Sequence, residues 1–229
     1  MSLAEVKFLT TELLIIFNEM NIVIFGPQGS GKGTQAEFIA RRHELPYIST
    51  GDIFRYHQKN QTELGQRVVE YLTKGLLVPD ELTNEIIKDR INQPDCTVGF
   101  VLDGYPRNRQ QLDFLNSIAK INFAIVIEID DNTAVERLGG RLACKCGLSY
   151  HLQYNPPKQE GVCNKCGQGL FKRDDDQPEA IKQRLAIYHE QTEPLLEIYE
   201  QSGKLHRVDG SKDIEGVYAQ IDQIISQHK

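Results

Sequence analysis

Apolar residues along this chain come in short unbroken runs separated by amphipathic stretches. Asn21–Gly26 (NIVIFG), Phe100–Gly104 (FVLDG) and Phe123–Ile129 (FAIVIEI) are β-branched and continuous instead of alternating, so each reads as a strand covered on both faces. Lys204–Gly210 and Pro46–Thr50 are weaker runs that bring the expected strands to five. Between them, Thr34–His43, Glu81–Ile91 and Thr133–Leu142 carry helical patterning. A further helix is expected in DQPEAIKQRLAIYHE, with Asp176 as N-cap, Pro178 near the first turn and Glu179 three residues on. Strands alternating with helices predict an α/β fold, a doubly wound parallel five-stranded sheet that binds ligands at the carboxyl ends of its strands.

The 229 residues suffice for one such domain with inserted subdomains, and 40% hydrophobic with 25% charged residues describes a globular chain. A net charge of −6 sets no general attraction for nucleic acid or anionic membrane. An anionic ligand must therefore meet locally focused cations. Residues 1–19 stand apart: Leu13–Phe17 is too short to span a bilayer, and no basic segment or cleavage site marks a secretory signal. Met1-Ser2-Leu3 reads as a non-native scar and Met20 as the expected native start, so 1–19 is taken as an N-terminal extension. The expected compartment is cytoplasmic, where disulfides rarely persist.

Gly26–Thr34 (GPQGSGKGT) directly follows the first strand and opens a helix. Gly26, Gly31 and Lys32 meet the phosphate-loop pattern, with Gly33 where a Ser or Thr is usual and Thr34 one step later. Glycines let successive backbone N–H groups point at phosphate oxygens, and the helix N-terminus adds partial positive charge. Without the usual hydroxyl, a magnesium ion would be held through water, and Asp103 at the end of FVLD is the candidate carboxylate.

Four of the five cysteines fall at 144, 146, 163 and 166. A disulfide, a redox pair, a metal cage and free thiols are the available readings. The spacing lies close to the paired cysteines of a zinc ribbon, and two thiolates per knuckle allow a closed tetrahedral S₄ site. Gly147 and Gly167 suit the knuckle turns. CNKCG fits, whereas CKCG is one residue short, so Cys144 ligates with strained geometry or His151 supplies the fourth ligand. Structural zinc is the favoured reading. Cys96 is remote and reads as inert.

GPQGSGKGTQ (26–35), STGDIFR (49–55), GFVLDGYPRNRQQ (99–111) and RDDDQPEAIKQRL (173–185) together resemble, in order and spacing, the adenylate kinases of the long-lid type. The resemblance covers Met20 to Lys229 and implies magnesium-dependent transfer from ATP to AMP, giving two ADP, by a monomer. It implies a core of 20–48, 79–139 and 177–229, an AMP-binding subdomain of 49–78 and a zinc-ribbon lid of 140–176. Lys32, Arg107, Arg141, Arg173 and Arg184 would surround the transferring phosphoryl group. ATP would meet Gly29, Ser30, Gly31, Gly33 and Thr34 of the loop, Arg137 and Arg141, Ser149 and Tyr150 closing over it, and Lys212. AMP would meet Thr50 on its adenine side and Arg55 on its phosphate, Leu76, Leu77 and Val78, then Gly104, Tyr105, Pro106 and Arg107, with Gln111 reading its base, and also Arg173 and Arg184. Asp175 and Asp176 match the lid acids. Metal-bearing long-lid relatives keep two residues inside both cysteine pairs, so CKCG is a departure. The alternatives are a GTP-using or other nucleoside monophosphate kinase of the same fold and, more distantly, a zinc-ribbon nucleic-acid module built on Lys145, Lys158, Lys165 and Lys172, which the net charge opposes.

Overall fold

A computed structural model describes residues 19–227; the reading of 1–19 as an extension therefore lies outside the described residues, Glu19 excepted. Five strands form one parallel sheet: β1 (Met20–Phe25), β2 (Tyr47–Ser49), β3 (Gly99–Asp103), β4 (Phe123–Glu128) and β7 (Leu205–Asp209), ordered β2-β3-β1-β4-β7. All five sit where the apolar runs place them: β1 and β3 keep the expected length but begin one residue earlier, and the other three are one or two residues shorter. Because alternate side chains leave a strand on opposite faces, the continuous runs feed two cores. Val23, Phe25, Leu102, Ala124 and Val126 belong to one, and Ile22, Ile24, Val101, Ile125 and Ile127 to the other.

Helices α1 (Lys32–His43), α4 (Asp80–Ile91) and α6 (Asp131–Gly139) match the expected patterns, but α6 ends three residues before the predicted Leu142. The chain there turns into β5 (Arg141–Ala143), which pairs antiparallel with β6 (Ser149–His151) in a separate small sheet. Around this ribbon Ala143, Cys144, Tyr150 and Cys163 are the buried residues, with Leu142, Leu148 and Leu170 packed against the cysteines and the tyrosine. The segment between β2 and α4 folds as α2 (Thr50–Lys59) and α3 (Glu63–Lys74) around Phe54, Val68 and Val78.

One capping expectation is corrected. The helix after the lid, α7 (Pro178–Ile187), is capped by Gln177 without a side-chain bond, not by Asp176, whose carboxylate is taken by arginines. Helix α2 is capped by Ser49, whose Oγ accepts the Asp52 N–H at 3.2 Å, and Thr50 is its first residue. Helices α5 (Arg109–Ile118), α8 (Leu195–Gln201) and α9 (Ile214–Ser226) complete the covering of the sheet.

Candidate functional site

The glycine loop leaves β1 and enters α1 through left-handed turns at Gly29 (φ 88°) and Gly31 (φ 87°), which only glycine adopts readily. A Cβ at Gly29 would stand 2.7 Å from the Ala134 carbonyl oxygen, so the loop also lies tight on α6. No side chain caps the first turn of α1 and no acidic residue lies in it, which leaves its dipole for an anion. Lys32 Nζ donates to the Pro27 carbonyl at 3.2 Å, folding the lysine back over the loop. Ser30 is buried and its Oγ has no partner, as is Asp103 Oδ1. Asp103 Oδ2 accepts the Tyr47 hydroxyl at 3.1 Å.

Five more cations converge on this crevice from separate segments. Burial pulls the Lys32 ammonium down to about 8; Asp103 opposes that, while Arg107, Arg184 and Arg141 reinforce it. Burial likewise brings Arg184 down to about 10, against Asp175 and with Arg141 and Arg107. Arg173 falls to about 10 through burial, then through the charges of Arg55 and Arg141. Arg107 is lowered by burial, partly offset by Asp103. All stay cationic at neutral pH, and their mutual repulsion is relieved by a polyanion. Asp175 and Asp176 supply part of the balance: Arg184 Nη1 lies 3.1 Å from Asp175 Oδ2 and 3.6 Å from Asp176 Oδ1. Burial pushes the Asp175 carboxyl up, but Arg184, Arg141, Arg55 and Arg173 together hold it below the usual range.

A pocket opens on one side of this cluster. Thr50, Arg55 and Leu76–Val78 line it with Gly104, Arg107, Gln111 and Arg184. Arg107 Nε and Thr50 Oγ1 both donate to the Gly104 carbonyl, at 2.7 and 2.9 Å, so the strand end aims Arg107. Gln111 is not helix surface but 2% exposed. Tyr105 is buried with its hydroxyl on Asn84 and on the Gln111 carbonyl, and it precedes a cis bond to Pro106. Behind the pocket, Asp80 accepts from Gln111 Nε2 and Asn108 caps the Gln111 N–H; sequence reasoning passed over both. Their only linear signal, an acid and an asparagine opening helices, reads as ordinary capping.

On the other side stand the lid and α6. Arg173 Nη2 donates to Ser149 Oγ at 3.0 Å. Arg137 stacks on the Tyr154 ring, 5.4 Å from its centroid. Lys212 is exposed on the loop before α9, and Gln35 ties α1 to that loop's end by donating to the Ile214 carbonyl at 2.9 Å. Tyr150 is buried beside the sulfur cluster: its hydroxyl accepts the Asn164 N–H at 2.9 Å and lies 3.4 Å from Cys163 Sγ.

The four cysteine sulfurs lie within 4.8 Å of one another, with Cys144–Cys166 at 3.4 Å and Cys146–Cys163 at 3.6 Å. Zn–S bonds of about 2.3 Å place tetrahedral sulfurs about 3.8 Å apart, so the set fits a zinc ion. The short first knuckle closes without His151: Gly147 N–H donates to the Cys144 carbonyl at 3.0 Å, as Gly167 N–H does to Cys163, also at 3.0 Å. Gly147 (φ 96°) takes up the turn. His151 instead accepts the Gln153 and Tyr154 N–H groups on Nδ1 at 3.0 and 3.1 Å and is outside the sulfur cluster. The Tyr150 hydrogen bond holds the Cys163 thiol down to about 6, while burial pushes Cys144 up to about 12.

A phosphate loop at the carboxyl end of a parallel strand, facing converging arginines between a lid and a second pocket, defines a phosphate-loop phosphotransferase. Comparison with known proteins narrows the class. Residues 24–204 match the adenylate kinase family. An adenylate kinase of Lachnospira eligens is 48% identical over 212 residues, 90% of this chain and 100% of the relative. One of Agathobacter rectalis is 49% identical over 214 residues, covering 91% and 100%. One of Methanosarcina barkeri is 47% identical over 213 residues, covering 91% and 99%. The chain belongs to the adenylate kinase family, and its activity is that of a nucleotide phosphotransferase.

Proposed function

We propose that the crevice holds ATP and AMP end to end and that this chain's residues align them for direct phosphoryl transfer. The observation that carries this reading is the shared electrostatic field of Lys32 with Arg107, Arg141 and Arg184, which come from four separate segments. An AMP phosphate oxygen attacks the γ-phosphorus of ATP as the bond to the ADP leaving oxygen breaks, and no protein group forms a covalent bond. The loop residues Gly29–Thr34 cradle the ATP phosphates, and Lys32 and Arg141 neutralise the moving charge. Arg107, Arg173 and Arg184 orient the acceptor phosphate, with Arg55 beside it. Leu76–Val78 and Gln111 hold the acceptor base. Arg137, Ser149 and Lys212 serve the ATP side. Asp103, with a buried oxygen that lacks a partner, fits a magnesium ion held through water, which would supply positive charge against the ATP phosphates.

We assign residues 49–78 as the AMP arm and 140–176 as a lid that moves on Gly139–Gly140 and Gln177. Lys59 on the arm reaches the Lys145 carbonyl on the lid at 3.5 Å, which supports a closed arrangement that excludes water. Zinc on Cys144, Cys146, Cys163 and Cys166 would supply a ribbon with few apolar residues with its stability. The family resemblance is the ground for assigning a monomer working in the cytoplasm; separately, no helix among the described residues is long and apolar enough to cross a membrane.

The test is ADP formation from ATP plus AMP, with and without magnesium, and with each of the four nucleoside triphosphates as donor. Rapid magnesium-dependent ADP formation is expected. Its absence in zinc-replete, folded protein overturns the reading.

A further inference from the structure

Gln111 is 2% exposed, yet its carboxamide offers two donor and two acceptor positions. Half of these are occupied in a fixed sense. Oε1 accepts the Arg107 N–H at 2.8 Å, and Nε2 donates to Asp80 Oδ1 at 2.7 Å. Asp80 and the Arg107 N–H together decide the orientation, because an ionised carboxylate only accepts and a backbone N–H only donates. Rotating the amide by half a turn would set oxygen against oxygen at Asp80 and N–H against N–H at Arg107. Asp80 is itself held: Asn108 Nδ2 donates to both of its oxygens at 2.9 and 3.0 Å, while Asn108 Oδ1 accepts the Gln111 N–H at 2.9 Å.

What the locked amide leaves for a ligand is one lone pair on Oε1 beside one N–H on Nε2. A 6-aminopurine presents the complement, an N6–H donor beside the bare N1 acceptor. A 6-oxopurine presents the opposite order, an O6 acceptor beside an N1–H donor, and would be matched only by the flipped amide.

We propose that Asp80 is a specificity-positioning residue: together with the Arg107 N–H it locks the Gln111 carboxamide in the one orientation that accepts 6-aminopurine monophosphates and rejects 6-oxopurine ones. The inference rests on the assignment of Gln111 to the acceptor base. Asp80 acts through Gln111 and does not itself touch the nucleotide. Discrimination built on buried polar groups is steep, since the wrong base leaves them unpaired.

The experiment compares kcat/KM for AMP and for inosine monophosphate, with ATP as donor, in Asp80→Asn, Gln111→Ala and the double variant. Asparagine is isosteric and either donates to or accepts from the amide, so it removes the Asp80 half of the lock and leaves only the Arg107 N–H to hold the amide. The AMP preference of Asp80→Asn should fall by about tenfold or more, mainly through KM for AMP, with KM for ATP unchanged. In the Gln111→Ala background the same substitution should add nothing. Asn108→Ser, which keeps a capping hydroxyl but drops both bonds to Asp80, should lower the preference in the same direction and carries the test if Asp80→Asn does not fold. An unchanged preference in Asp80→Asn and Asn108→Ser, while Gln111→Ala loses it, overturns the lock alone. An unchanged preference in Gln111→Ala overturns the base-reading assignment and the lock with it. An equal rise in KM for both acceptors, persisting without Gln111, shows a merely structural Asp80 and also overturns the proposal.

Discussion

Arg141 and Asp176, at the two ends of the lid, form a bidentate pair. Arg141 Nε donates to Asp176 Oδ2 at 2.8 Å and its Nη2 to Oδ1. The Asp176 side chain is only 2% exposed and that of Arg141 19%. The planar fork fits a carboxylate in one orientation only, so the lid's first strand and its last turn are tied where both leave the core. A guanidinium held in this way keeps its remaining edge aimed before any phosphate arrives.

Asp176→Asn keeps the shape and removes the charge, leaving Arg141 close to Arg184 and Arg173 without its counter-ion. Breaking a fully buried pair costs about 3–5 kcal/mol, and the exposure left to Arg141 reduces this to roughly 1–2 kcal/mol. A misaimed phosphate ligand slows transfer by about 10- to 100-fold. Steady-state kinetics and urea unfolding should show kcat falling more than KM rises. Wild-type kcat would mean that the pair does not orient Arg141.

Lys32 gives a pH signature. Its folded value is about 8, against about 10.4 unfolded. Between these values the unfolded chain binds a proton that the folded chain has lost, so the stability contribution of this group rises with pH across that window. Below pH 8 both states are charged and the folded protein bears the full cost of burying the ammonium. Lys32→Met should therefore be more stable than the parent at pH 7, with the advantage shrinking through pH 8 to 10, while transfer drops by at least about 10²–10³. Unfolding midpoints at pH 7 and 9.5 check the first claim and an ADP assay the second. A constant advantage across both pH values refutes the burial account.

The sheet was legible because its strands are buried on both faces, so Ile22–Phe25 and Phe123–Ile127 are apolar without interruption. The arm helices were not: Phe54, Val68 and Val78 are a small core spread over two short helices. The acidic run Asp174–Asp176 looked like capping because local patterning cannot show Arg141, 35 positions away. For the same reason the Asp80–Gln111 bond, 31 positions apart, had no linear signature. The loop and the cysteine pairs were readable since their chemistry is set by spacing within a few residues.

The lid should lose metal more readily when Tyr150 loses its hydroxyl. That oxygen takes the Asn164 N–H and faces Cys163 Sγ, so it fixes the sulfur and stabilises its thiolate. Partners of this kind are worth about 10- to 100-fold in metal affinity. Tyr150→Phe should release zinc to a chromophoric chelator at correspondingly lower chelator concentration. Its thermal midpoint should fall toward that of chelator-treated parent protein. Identical release curves for the two proteins would show that the hydroxyl does not act on the metal site.

Gly104 links the end of β3 to the pocket proposed for the acceptor, and on that assignment replacing it should separate the two substrates. Its φ of 78° is one that other residues resist, and an added Cβ would stand 2.9 Å from Thr50 Oγ1 and 3.0 Å from Arg107 Nη2. Both side chains hydrogen-bond the Gly104 carbonyl, so neither retreats without losing that bond. Arg107 is the softer of the two, and Gly104→Ala should push its guanidinium off the acceptor phosphate while leaving the glycine loop untouched. KM for AMP should rise by about tenfold or more, since a bond to a charged group is worth about 1.5–3 kcal/mol, and KM for ATP should change less than about twofold. Arg107→Ala should show the same asymmetry with a larger loss. Titrating each nucleotide at saturating partner measures both effects. Equal rises for ATP and AMP in the two variants would show that Arg107 does not belong to the acceptor side, since only a disturbance shared by both halves of the crevice produces that symmetry.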